Sequence, residues 1–73
     1  MKIIAKPEYF ARKRIMKGLS QRELARKAGL SHTYISMLER SMKTVGPRSA
    51  KKLSDVLEVP MEELFILKEQ NKK

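Results

Sequence analysis

A helix stop and a helix start stand one residue apart in this chain, at Gly29-Leu30-Ser31. Gly29 is placed to close one helix as a left-handed C-terminal residue, and Ser31 is a good N-cap for the next. Upstream, Ser20-Gln21-Arg22-Glu23 forms a capping box. The Ser20 hydroxyl can accept the Glu23 amide while the Glu23 carboxylate reaches back to the Ser20 N–H. The helix between these marks is predicted over about Gln21 to Ala28, with Leu24, Ala25 and Ala28 on one face. Two helices joined so tightly form a helix-turn-helix candidate.

The remaining punctuation, Pro7, Gly18, Gly46-Pro47 and Pro60, cuts the rest of the chain into short helical lengths and leaves no period-2 strand run. Pro7 fits the first turn of a first helix, and Gly18 is placed to end it. The third helix runs from His32 to about Arg40. At about 100° per residue, Tyr34, Ile35 and Leu38 share its inward face, while His32, Thr33, Ser36, Met37 and Arg40 fall on the other. A polar, basic loop holding Lys43 and Thr44 follows. Gly46 and Pro47 then open a fourth helix to about Leu57 that buries Ala50, Leu53, Val56 and Leu57. Pro60 opens a short fifth helix holding Met61, Leu64 and Phe65. The expectation is an all-α fold of five helices in a single domain over residues 1–73, with its core in about 7–67 and a charged tail, 68–73, that frays.

Size and composition narrow the function. Seventy-three residues make one small domain that buries only about 60% of its unfolded surface, a poor frame for a substrate cleft. With no cysteine and one histidine, neither a thiol nucleophile nor a common zinc site can be assembled. No enzyme activity, cofactor or metal is expected. The basic excess is uneven. Residues 1–52 carry fourteen basic and three acidic side chains, a balance of +11, whereas residues 53–73 stand at −2. Such a distribution suits a polyanion binder, the plainer reading being a solvated basic surface. No apolar run approaches the ~20 residues needed to cross a bilayer, and the start is too short for a signal-peptide core. A soluble, cytoplasmic protein with no membrane or small-molecule partner is expected.

The first helix departs from its pattern, because Arg14 shares the inward face with Phe10 and Ala11. A buried guanidinium needs a carboxylate, and Glu39 is placed for it. The other course is for Arg14 to run along Phe10 to solvent.

Taken in register, Arg14, Gly18-Leu19-Ser20-Gln21-Arg22-Glu23-Leu24-Ala25, Ala28-Gly29-Leu30-Ser31 and Ile35-Ser36-Met37-Leu38-Glu39-Arg40 strongly resemble the Cro/CI-type (XRE-like) helix-turn-helix repressors of phages and bacteria. Leu53, Leu57-Glu58-Val59-Pro60 and Glu63-Leu64 extend the match, which covers about residues 8–66. The resemblance implies a five-helix, lambda-repressor-like fold whose third helix enters the DNA major groove, with Arg14 paired to Glu39. It places His32, Thr33, Ser36 and Met37 at base edges, and Gln21, Lys43 and Thr44 at phosphates.

Physical chemistry agrees with these roles. The helix N-termini at Gln21 and Ser31 favour phosphate. His32 can donate to guanine N7 or O6, and the methyl groups of Thr33 and Met37 can pack on a thymine methyl. Arg40 is ranked as a phosphate contact before a base contact, and Tyr34 divides between packing and offering its hydroxyl to a phosphate. The plainer alternatives are a polar first-turn histidine at His32 and a singly exposed apolar side chain at Met37.

Two departures from the family pattern stand out. Serine occupies position 41 where glycine is usual, and the loop to Pro47 is one residue longer than in the shortest lambdoid repressors. A left-handed serine costs about 1–2 kcal/mol, so an altered exit from the third helix is expected.

Repressors of this kind usually pair as homodimers on a pseudo-palindromic operator, with recognition helices ~34 Å apart. Met61, Phe65, Ile66 and Leu67 form the proposed self-association cluster, ordinary core capping being the competing view. The functional expectation is a sequence-specific DNA-binding regulator from a phage or mobile element. A restriction–modification controller is its nearest variant, and an antitoxin-like interaction module is the alternative of another class.

Overall fold

Pro7 and Gly18 bracket the first helix of the structure, a computed structural model that describes residues 2–68. Five helices follow in order: α1 (Pro7–Met16), α2 (Gln21–Ala28), α3 (His32–Glu39), α4 (Pro47–Leu57) and α5 (Met61–Leu64). The local signals act as their chemistry requires. Ser20 accepts from the Glu23 amide at 3.0 Å and the Ser20 amide donates to Glu23 Oε1 at 2.8 Å, which completes the capping box. Gly29 is left-handed at φ 72, and Ser31 caps α3 by accepting from the Tyr34 amide at 3.1 Å.

The all-α expectation is corrected by a small antiparallel sheet. Strand β1 (Lys2–Ala5) pairs with β2 (Phe65–Lys68), placing Ile3 opposite Leu67 and Ala5 opposite Phe65. The loop after α3 lies along the other edge of β1, where Thr44 bridges Ile4 and the Val45 amide donates to the Ile3 carbonyl at 3.0 Å. Ile3 and Ala5 are buried, so the core reaches the start of the chain rather than beginning near residue 7. Lys68, expected to fray, is the last paired residue of β2 opposite Lys2. The rest of the expected tail, 69–73, lies outside the described residues.

Phe10, Leu24, Ile35, Leu38, Leu53, Leu57 and Leu64 are the largest fully buried side chains. They are contributed by all five helices, so the core ties the helix-turn-helix to the rest of the domain. Phe65 completes it against Phe10, with ring centroids 5.9 Å apart and planes tilted by 59°. In α4 the buried fourth position is Ser54 rather than Val56, which is half-buried. The Ser54 hydroxyl donates to the Val59 carbonyl, which satisfies it and fixes the turn into α5. That turn uses Glu58 in the left-handed region at φ 59, without a glycine to mark it.

Candidate nucleic-acid interface

The site begins with what holds α3 still. Arg14 on α1 donates through Nε and Nη2 to the two oxygens of Glu39 on α3 and through Nη1 to the Leu19 carbonyl at 2.9 Å. Both side chains are largely enclosed, 13% and 8% exposed. A guanidinium in that setting needs a carboxylate presented as a fork. Gln21, the first residue of α2, adds a third donor: its Nε2 lies 2.9 Å from Glu39 Oε1. One carboxylate thus joins α1, α2 and α3, and among the described residues no buried side-chain nitrogen or oxygen lacks a partner.

Against that anchor, Ile35 and Leu38 are buried, while His32 and Thr33 stand exposed on the first turn of α3. Ser36 and Met37 are half-buried one turn further along. Arg40 caps the helix and folds back so that its Nη2 donates to Ser36 Oγ at 3.2 Å. The helix therefore brings His32, Thr33, Ser36, Met37 and Arg40 onto one surface.

Two residues assigned to phosphate are already engaged. The Gln21 side-chain amide is committed to Glu39, which leaves its carbonyl oxygen and the helix-end N–H groups for an outside partner. The Tyr34 hydroxyl donates to the Thr44 carbonyl at 2.9 Å, so its proton braces the loop instead of pointing at solvent. Burial pushes the Tyr34 phenol pKa up, and the group stays a neutral donor at physiological pH.

Lys43 and Thr44 are exposed in that loop. Its path explains Ser41. The residue does adopt the left-handed conformation at φ 57, and its hydroxyl donates to the Ala5 carbonyl at 3.2 Å. A glycine could make the turn without strain but could not make this bond. The altered exit from the third helix is thereby corrected: the left-handed turn is kept and a side-chain tether to β1 is added. The serine was visible as a departure in the sequence, but its acceptor was not, because Ala5 lies 36 residues away.

The self-association cluster is divided by the structure. Phe65 is buried in the core and is withdrawn from any surface, whereas Ile66 is 42% and Leu67 60% exposed and Met61 is half-buried. Among the described residues no group of three or more His, Asp or Glu side chains is arranged to hold a metal ion, and no helix is long and apolar enough to cross a membrane. An open cleft of about 610 Å³, lined by Lys17, Leu19, Lys27, Val56 and Glu58, includes none of the residues on the α3 surface.

The chain is similar in sequence and fold to known proteins. A helix-turn-helix family model matches residues 10–64. A hypothetical transcription factor of Neisseria meningitidis serogroup B is 38% identical over 53 residues, which are 73% of this chain and 50% of that protein, so the chain spans about half the length of this curated relative. The restriction–modification controller protein C.AhdI from Aeromonas hydrophila superposes with a TM-score of 0.73 at 32% identity, covering 78% of this chain and 86% of its own. The biofilm master regulator SinR, solved in complex with DNA, superposes with a TM-score of 0.68 at 37% identity over 73% of this chain and 86% of its own. With the family match running from Phe10 to Leu64 and taking in the whole α2–α3 corner, the chain belongs to the XRE-type helix-turn-helix family.

Proposed function

We propose that the chain is a sequence-specific DNA-binding transcriptional regulator, a Cro/CI-like repressor of phage or mobile-element origin, that reads the major groove with α3. The observation that carries this reading is the exposed pair His32 and Thr33 on a helix anchored from behind by the Arg14–Glu39–Gln21 network. Base reading demands a helix whose position does not drift, because a side chain displaced by an ångström loses a bidentate contact.

His32 and Thr33 read bases, joined by Ser36 and Met37 one turn on. The free helix-end amides near Gln21, the Arg40 guanidinium, and Lys43 with the Thr44 loop meet phosphates, which set register but carry no sequence information. Tyr34 acts behind the loop, through Thr44. The positive balance of residues 1–52 supplies the salt-dependent attraction common to any duplex. A homodimer on a pseudo-palindromic site would give the specificity that one small reader lacks.

A restriction–modification controller is the second reading, favoured by the similarity to C.AhdI over most of both chains. The two share one DNA-reading mechanism and differ in the genes controlled.

Selection from a randomised DNA pool at about 150 mM salt, with His32→Ala/Thr33→Ala in parallel, tests the proposal. A consensus of two half-sites that relaxes in the double variant is expected. Binding without consensus, unchanged in the variant, would reduce the protein to a non-specific polycation.

A further inference from the structure

We infer that Ser41 is a positioning residue for DNA binding. Its hydroxyl ties the loop after α3 to β1 and so sets where Lys43 and Thr44 meet phosphate. The inference rests on the DNA-binding function proposed above and adds to it a residue outside the reading surface.

The loop is held from two sides, and Ser41 is where the two holds meet. On the helix side, the Ser41 amide donates to the Leu38 carbonyl at 3.0 Å and the Met42 amide to the Met37 carbonyl at 2.9 Å. On the strand side, the Val45 amide donates to Ile3, Thr44 bridges Ile4, and the Ser41 hydroxyl donates to Ala5. Ser41 thus joins α3 to β1 within one residue, its main chain on the helix and its side chain on the strand. The strand is fixed in turn by β2 along its other edge.

The alternation of that ladder shows what the hydroxyl replaces. With Ile3 against Val45 and Ile4 against Thr44, a regular antiparallel ladder would next bring the Lys43 amide to the Ala5 carbonyl. The Ser41 hydroxyl takes that carbonyl instead, at 3.2 Å. Among the described residues the Lys43 amide has no main-chain acceptor, and the pairing stops after one bridge. Met42 and Lys43 stand exposed between the two holds. With glycine at position 41 the Ala5 carbonyl would be open to the Lys43 amide, and the loop would be drawn onto the strand, away from DNA.

Stability does not explain the serine. A left-handed serine is penalised about as much as one added hydrogen bond returns, so the tether gives little net stability over glycine. Its effect is on position. Both strands lie outside residues 10–64, the span of the family match, so this brace belongs to a part of the chain that the family pattern does not describe.

Ser41→Gly is the discriminating variant, because it keeps the left-handed turn and removes the hydroxyl. Affinity is measured across a salt series for the duplex selected above and for a scrambled duplex of equal length. The scrambled duplex carries the test even if no consensus is selected. Ser41→Gly should melt within about 5 °C of wild type and bind both duplexes at least about fivefold more weakly. Its salt slope should be shallower by about one per protomer. The ratio between the duplexes should not change, because phosphate contacts carry no sequence information. Lys43→Ala should weaken wild type in the same way and cost less in the Ser41→Gly background. Ser41→Ala should lose the same affinity while melting lower than Ser41→Gly, which separates position from stability. Wild-type affinity in Ser41→Gly, a loss that only follows melting temperature, or additive effects at 41 and 43 would overturn the positioning role and leave DNA reading standing. Lys43→Ala that alters neither affinity nor salt slope overturns the phosphate role of the loop, and the positioning role with it.

Discussion

The α2–α3 corner and the terminal sheet are held by different kinds of contact. In the corner, caps act over three residues: Ser20 with Glu23, Ser31 with Tyr34. One forked ion pair then locks the assembled helices to α1. In the sheet, residues 2–5 must find 65–68, and the loop at 44–45 must find β1. The proposed base-reading side chains stand on the corner, whereas the proposed phosphate loop leans on the sheet. The two proposed roles thus rest on separable parts of the fold, one local and one assembled from segments distant in the sequence.

Removing the ion pair should have the largest effect. Glu39→Ala leaves the largely enclosed Arg14 guanidinium facing Gln21 with no carboxylate, and a loss of about 3–5 kcal/mol is expected in chemical denaturation. A loss below about 1 kcal/mol would mean that the corner is held mainly by apolar packing.

Ile3→Ala strikes the other region. Ile3 is buried between the sheet and the core, so truncation should cost about 2–4 kcal/mol. Nearly unchanged stability would show that the terminal sheet is ornamental to the domain.

Smaller changes separate the regions more finely. Ser20→Ala should lower stability by about 1 kcal/mol through loss of the cap. Tyr34→Phe should cost about 0.5–1.5 kcal/mol and also weaken DNA binding, because the Thr44 loop loses its tie to α3. Equal DNA affinity in Tyr34→Phe and wild type would detach that loop from binding.

The least effect comes from acid. Hydrogen bonds from the Ser20 amide and then the Ser20 hydroxyl hold Glu23 below its ordinary carboxylate pKa. Lys17 does the same for Glu58, by hydrogen bond and then by charge. Because the folded-state values are depressed, their stabilisation is complete above the unfolded carboxylate range and is lost as pH falls through the folded values. Both groups are exposed, so thermal melts below about pH 4.3 should show a shallow decline that Glu23→Gln reduces.

What could be read without a structure follows the same division. Ser20 with Glu23, Gly29 and Ser31 declare themselves within a few residues, and so the ends of α2 and the start of α3 were predictable to the residue. The β1 strand gives no such signal. Ile3-Ile4-Ala5 is a short apolar run without alternation, and the partners of β1 are 40 or more positions away in the loop at 44–45 and in β2. Periodicity cannot separate such a run from a helix end or a loose terminus. Tyr34 illustrates the same limit within the site. Its place on α3 was legible, but whether its hydroxyl met solvent or the Thr44 carbonyl depended on a loop path set by β1. Glu58 is a further instance, since its left-handed turn carries no glycine.

Amide chemical-shift mapping of the isotopically labelled protein, as a selected duplex is added, tests the central claim most directly. The account predicts the largest changes at residues 31–37 and 43–44, with those at 31–37 reverting toward the free values when a scrambled duplex replaces the selected one. Changes centred instead on α4 or on the outer face of α1, with residues 31–37 unmoved, would contradict it.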